Sequence, residues 1–316
     1  MRYVFSGEAS QTIGTGHVMR LSAIAEELIS RGLDVAFVGN VADIGWLNNR
    51  IIKLGFSEVE FEQSNFTSNP MNDILILDSY IKSPLDSFVA KSNWNKVVSI
   101  SDKSTPLYLA DLVIHPNISE TMISHQGDRF YSGPLYIPFR KSIANVEDSS
   151  RFNSKLQILL VGGGTDPYNF VQKVSQVLMN FDEDFEARLF TNNLKGNFFD
   201  SRFTINRIGD EFDEYAAAAD LIFSTAGTTS LEFVARRMAM GIGCSVENQR
   251  DYYSNLSATG VAIPIGEVIL GKWHLEKELI SNLVVDSSLR SELRKKCKDF
   301  IDLNGASRIA DLITSL

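Results

Sequence analysis

Cysteine is nearly absent from this chain, which has two in 316 residues, Cys244 and Cys297. They lie far apart and lack the CxxC or Cys/His spacing that metal sites use, so a thiolate metal centre is not expected and a reducing compartment fits. No window gathers the Lys/Arg cluster that a nucleic-acid groove requires. The net charge of -9 would moreover repel polyphosphate, which removes nucleic acid from the expected partners. No apolar run approaches the roughly 20 residues needed to span a bilayer. Tyr3-Val4-Phe5 is reached without a basic segment and a long apolar stretch, so no signal peptide is expected. Low-complexity tracts are missing as well. These absences together predict a soluble, cytoplasmic protein.

What is present is an ordinary globular balance, 44% apolar and 22% charged, in a length that predicts two domains of about 150 residues. Tyr3 to Ser6 reads as a strand, Gly14-Thr15-Gly16-His17 as a turn, and Leu21, Ile24, Ala25, Leu28 and Ile29 recur at helical spacing up to Gly32. Val35 to Val38, Ile74 to Asp78, Val97 to Ile100 and Leu112 to Ile114 are unbroken apolar runs of the kind a parallel sheet buries on both faces. Around 141 to 155 the pattern lapses into polar residues, and the domain boundary is placed there, giving 1–148 and 149–316. A second series follows with Ile158 to Val161, Ala187 to Phe190, Leu221 to Ser224 and Met240 to Gly243. The tail from Leu275 reads as two or three amphipathic helices. The fold class is α/β, two Rossmann-like doubly wound domains facing across a cleft.

Three strand-to-helix turns could carry chemistry. In Gly14-Thr15-Gly16-His17 the glycines let the backbone approach a ligand, and the positive end of the following helix favours a neutral imidazole, the form that accepts a proton from water. The alternative is that Gly14 and Gly16 serve the turn while His17 caps or packs. Gly162-Gly163-Gly164-Thr165-Asp166 offers a close main-chain approach, or simply a tight turn with Thr165 or Asp166 capping the next helix. Ser224 to Glu232 offers hydroxyls and amides, among them Thr228, Thr229 and Ser230, to a diphosphate. Glu232, one turn into the helix, could accept from ribose hydroxyls or serve only the helix dipole. Asp78, Tyr80 and Asp102 stand at carboxyl ends of strands, as ligand residues or as caps and turn formers. His115, His125 and His274 lack ligand spacing and read as core or surface residues. Asp182-Glu183-Asp184 reads as a solvated loop.

The run Gly14-Thr15-Gly16-His17-Val18-Met19-Arg20, the Gly-Gly-Thr-Asp turn and the Ser/Thr-rich turn before Leu231-Glu232 resemble the PseG/SpsG family. Further likenesses fall at Asp78-Ser79-Tyr80, at Gly133-Pro134-Leu135-Tyr136 with Arg140, and at Val246-Glu247-Asn248-Gln249, so the resemblance runs from residue 1 to about 265. It implies the GT-B fold shared with MurG. It also implies the hydrolysis of UDP-2,4-diacetamido-2,4,6-trideoxy-β-L-altropyranose, a step toward pseudaminic acid. By that resemblance His17 is the general base that directs water at the anomeric carbon. Gly14, Gly16, Arg20, Asp78, Tyr80, Asn248 and Gln249 lie toward the sugar. Gly163, Gly164, Thr228, Thr229, Ser230 and Glu232 hold the nucleotide. No metal or other cofactor is expected; the expected partner is a UDP-activated sugar, with contacts to polysaccharide-pathway enzymes.

One departure matters. The family opens with Arg-x-Asp-x-Ser after the first strand, where this chain has Ser6-Gly7-Glu8-Ala9-Ser10. Loss of the arginine removes a cation with bidentate reach. The substrate could therefore differ, or an acceptor hydroxyl could replace water, which makes a GT-B glycosyltransferase the alternative to a hydrolase. A nucleotide-sugar-binding subunit without catalysis is the third reading.

Overall fold

The apolar runs become parallel strands, and the amphipathic stretches between them become the helices that cover the sheets. The computed structural model describes residues 1–10, 13–41, 44–102, 105–118, 126–144, 155–163, 166–191, 200–207 and 212–316. The chain divides into two compact units, one of residues 1–141 with 302–316 and one of residues 142–301.

In the first unit the chain runs β1 (Arg2–Gly7), α1 (Gly16–Ser30), β2 (Asp34–Val38), α2 (Gly45–Lys53), β3 (Glu58–Glu60), β4 (Asp73–Asp78), β5 (Lys96–Ile100), β6 (Leu109–His115) and β7 (Gln126–Ser132). A short helix, α3 (Lys141–Ala144), stands where the units join in sequence. The seven strands pair in the order β3-β2-β1-β4-β5-β6-β7, all parallel. Strand order reverses between β1 and β4, and the register there sets Gly7 opposite Asp78 at the carboxyl edge. That edge of a switch point is where open α/β sheets take ligands. Phe5, Ile74 and Ile76 bury one face of the sheet against Val18, Leu21, Ile24 and Leu28 of α1. Val4, Leu75 and Leu77 bury the other against Phe66, Trp94 and Tyr108. On that side the β4-to-β5 crossover contains single 3-10 turns, Ser87–Val89 and Lys91–Asn93, rather than an α-helix.

The second unit runs β8 (Leu156–Val161), α4 (Phe170–Leu178), β9 (Phe185–Phe190), β10 (Phe203–Asn206), α5 (Phe212–Ala218), β11 (Leu221–Thr225), α6 (Thr228–Ala235), β12 (Met240–Cys244), α7 (Arg250–Ala258), β13 (Ile263–Ile269), β14 (Lys272–Leu275), α8 (Lys277–Val285) and α9 (Ser287–Cys297). Its sheet repeats the order, β10-β9-β8-β11-β12-β13-β14, with only β14 antiparallel. The switch point now lies between β8 and β11.

The tail corrects the expected domain assignment. A boundary at 148 gives the whole tail to the second domain, whereas residues 302–316 belong to the first unit. In α10 (Gly305–Thr314), Ile309, Ala310 and Ile313 join the core that α1 closes. Arg31 of α1 donates to Asp311 Oδ1 at 2.7 Å and to Ser307 Oγ at 2.9 Å. Gly305 sits so close to the Ile137 carbonyl that a Cβ there would lie 2.0 Å from its oxygen. An amphipathic pattern says that a helix face is buried; it does not say against which core.

Candidate functional site

In the first unit Gly14 takes φ +85°, a left-handed conformation that glycine enters without steric cost, and its amide donates to the Ser10 carbonyl at 2.8 Å. The turn delivers the chain into α1, where Gly16 is the first residue and His17 the second. Thr15 at the N-cap makes no side-chain cap bond. His17 and Arg20 are one helical turn apart and share a face, and the register of β1 with β4 brings Asp78 up to them.

The resulting cluster is tight and buried. His17 Nδ1 lies 2.5 Å from Asp78 Oδ1. Arg20 donates from Nε to Asp78 Oδ2 and from Nη2 to Oδ1, both at 2.8 Å. Tyr80 sets its ring edge-on to the imidazole, 3.9 Å between centroids, and donates its hydroxyl to Asp102 Oδ2 at 2.5 Å. Arg20 Nη2 also lies 3.5 Å from that Asp102 oxygen. Burial alone would push the Asp78 carboxyl up, but Arg20 and His17 outweigh it and hold Asp78 below the ordinary carboxylate range. Burial, with Asp102 adding to it, pushes the Tyr80 phenol far up, so it stays a donor. The side chains of Arg20, Asp78 and Tyr80, expected toward the sugar, thus gather around His17, Arg20 bonded to Asp78 and Tyr80 bonded to Asp102.

The departing residues Ser6 and Glu8 have their own arrangement. Ser6 is fully buried in β1, and Glu8, just beyond it, pairs with Lys82 at 2.9 Å. Lys82 donates to Gln63 Oε1 at 2.7 Å. A lysine from the loop after β4 therefore faces Glu8. Nothing in the sequence signalled it, because 74 residues separate the partners. His115 is the core histidine expected: Nδ1 donates to the Ser101 carbonyl at 2.8 Å, and Nε2 accepts from Asn117 at 3.0 Å. His274 is exposed on β14, and His125 lies outside the described residues.

In the second unit the turns after β8 and β11 stand together at the switch point. Gly163 takes φ +78°, and a Cβ on it would approach Thr225 Oγ1 to 3.3 Å. Gly164 and Thr165 lie outside the described residues. Asp166 reaches forward to accept from the amides of Phe170 at 2.6 Å and Val171 at 3.2 Å, so it satisfies the first two amides of α4 from upstream of the N-cap residue, Asn169. Burial nevertheless leaves its carboxyl above the ordinary range. Gly227 is the N-cap of α6, and Ser230 Oγ donates to its carbonyl at 2.6 Å and accepts from its amide at 3.1 Å. The Ser230 hydroxyl is thus committed to the helix start, while Thr228 and Thr229 are half-buried at its opening and Glu232 follows in the next turn. Gln249 accepts from the Ser245 amide at 2.8 Å and hydroxyl at 2.9 Å, closing a turn, and Asn248 beside it is exposed.

Among the described residues no three His, Cys, Asp or Glu gather closely enough to hold a metal ion, and no helix is long and apolar enough to cross a membrane. No family model matches the sequence, and no curated protein matches it significantly. Solved structures do match over the whole chain. MurG of Acinetobacter baumannii aligns at 14% identity, covering all of both chains, with a TM-score of 0.65. The spinosyn rhamnosyltransferase SpnG, solved with thymidine diphosphate, aligns at 12% identity over 99% of this chain and 100% of its own, with a TM-score of 0.64. Arabidopsis thaliana UGT89C1, solved with UDP-L-rhamnose, aligns at 11% identity over 99% and 98%, with a TM-score of 0.56. Two parallel-dominated, Rossmann-like halves and full-length likeness to these enzymes give the chain the GT-B fold.

Proposed function

We propose that this protein transfers a glycosyl group from a nucleoside diphosphate sugar to an acceptor hydroxyl, with His17 as the general base. The observation that carries this reading is the buried contact of His17 Nδ1 with Asp78. A carboxylate that accepts from Nδ1–H leaves the Nε2 lone pair as the free basic atom of the ring. Nε2 takes the proton from the acceptor O–H, the oxygen bonds to the anomeric carbon, and the C–O bond to the β-phosphate breaks with its electron pair leaving on phosphate. Attack from the face opposite the leaving group inverts the anomeric centre. The second unit's part is to hold the nucleoside diphosphate at the ends of β8 and β11, with helix-start amides of α6 and the hydroxyls of Thr228 and Thr229 toward phosphate and Glu232 toward ribose. The full-length likeness to SpnG and UGT89C1, solved with a nucleoside diphosphate and a nucleotide sugar, supports this choice.

A second reading keeps the same residues and replaces the acceptor by water. The motif series from Gly14 to Gln249 favours it, because it resembles a nucleotide-sugar hydrolase family. The hydrolase reading would put the protein in nonulosonic acid or surface-polysaccharide synthesis. Incubation with UDP- and TDP-hexoses separates the two readings. Release of nucleoside diphosphate and reducing sugar without acceptor supports the hydrolase, and release only with added acceptor supports the transferase. Tight nucleotide binding with no release under either condition would refute both.

A further inference from the structure

His17 Nδ1 faces two groups whose demands conflict. Asp78 Oδ1, at 2.5 Å, can only accept and calls for a proton on Nδ1. Arg20 Nη2, at 3.1 Å, can only donate and calls for a lone pair on the same nitrogen. The first contact is shorter and has an ionised acceptor, so the proton belongs on Nδ1. Arg20 then spends its fork on the carboxylate, one nitrogen to each oxygen at 2.8 Å.

We propose that Arg20 is a positioning residue that holds Asp78 against His17 while cancelling its charge, so that the imidazole stands as the neutral Nδ1–H tautomer with Nε2 basic. This deepens the reading of His17 as base and rests on it. A buried carboxylate alone beside an imidazole favours the imidazolium, which cannot accept a proton. A guanidinium alone would favour the opposite tautomer, with Nε2 protonated. Only the pair sets both charge and tautomer. The guanidinium cannot lose its proton, so its half of the arrangement holds at any working pH. Among the described residues, the groups shown around the ring are Asp78 at the end of β4, Tyr80 just after it and Arg20 on the ring's own helix. Asp102, beyond β5, reaches it through Tyr80 and Arg20. Asp78 is fully buried, and Arg20 spends two of its donors on it.

The test uses the full chain as wild type, Arg20→Gln and Arg20→Lys, with kcat/KM followed against pH and ¹⁵N-histidine NMR reporting the ring protons. In wild type His17 should show the Nδ1–H tautomer above the acid limb. Removing the cation should move the acid limb of Arg20→Gln to higher pH by about one unit or more, because the uncancelled carboxylate holds the imidazolium longer. The donor KM should change less than about threefold. Arg20→Lys keeps the charge without the fork, so its limb should move less. An Nε2–H tautomer in the wild type overturns the proposal even if Arg20→Gln fails to fold. So does an unmoved limb with a donor KM raised tenfold, which would assign Arg20 to the substrate. Full activity in His17→Ala would sink the role of the base instead, and the NMR comparison would still decide whether Arg20 governs the ring.

Discussion

At the scale of single residues, the His17 cluster separates chemistry from stability. His17→Ala leaves Asp78 bonded to Arg20 through both oxygens, so the melting temperature should move little while turnover falls by about 10²-fold or more. A steady-state assay beside a thermal melt checks both, and turnover near the wild-type level would remove His17 from the mechanism. Asp78→Asn should do the reverse damage as well. It leaves the Arg20 cation buried beside a neutral amide, which costs about 3 kcal/mol, and it stops favouring a proton on Nδ1. Asp78 also links stability to pH. Its folded value lies below the ordinary 3.8, so its contribution is present above that range and is lost as the pH falls through the lowered value. Urea unfolding at successive pH values should show a steeper acid loss in wild type than in Asp78→Asn. At this scale the sequence named His17, Arg20, Asp78 and Tyr80 but not their mutual bonds. Motif spacing places residues along a chain, while the contact depends on β1 and β4 pairing in the register that sets Gly7 beside Asp78.

The elements explain why neighbouring residues of one motif do different work. At the start of α6, Ser230 lies where its hydroxyl closes back onto Gly227, whereas Glu232 is half-buried in the next turn. Ser230→Ala should therefore cost about 1 kcal/mol of stability, as a lost cap does, and move stability more than nucleotide affinity. Glu232→Ala should weaken nucleotide binding by about 10 to 150-fold, the worth of a hydrogen bond to a charged acceptor. Calorimetric titration with UDP and TDP checks this, and an unchanged affinity would leave Glu232 as a helix-dipole residue. The strands expected from apolar runs are all present, from Tyr3–Ser6 in β1 to Met240–Gly243 in β12. The unforeseen ones include the edge strands β3, a polar Glu-Val-Glu, and β14, and also β13, which lies inside the sheet between β12 and β14 but has its apolar run broken by Pro264 and Gly266. Edge strands bury one side only and need no apolar run, so hydropathy does not mark them.

The whole molecule ties its last residues to its first unit. Ile309 and Ile313 are fully buried in the core under α1, so a chain ending at 301 should leave that core open although every strand of the first sheet is intact. Deleting 302–316 should lower the unfolding midpoint of the first unit and leave the second nearly unchanged. Ile309→Ala should cost about 2–5 kcal/mol on its own. Limited proteolysis with mass spectrometry would show which unit opens, and unaltered protection of residues 1–141 would rule out this role for α10.

The sequence by itself determined the class of the fold, the repeated strand-turn-helix rhythm in each half and the turns where polar residues meet strand ends. These are local properties, because alternation, apolar runs and glycine-bearing turns act over a few residues. The tertiary structure decided that Arg20 clamps Asp78 rather than facing outward, that Lys82 comes to Glu8 from another strand's loop, and that α10 leaves its sequence neighbours for the first core. Each is a pairing between residues at least 58 positions apart. Which buried charge meets which partner, and which core an apolar helix face closes, depends on the three-dimensional arrangement of elements that no local pattern encodes.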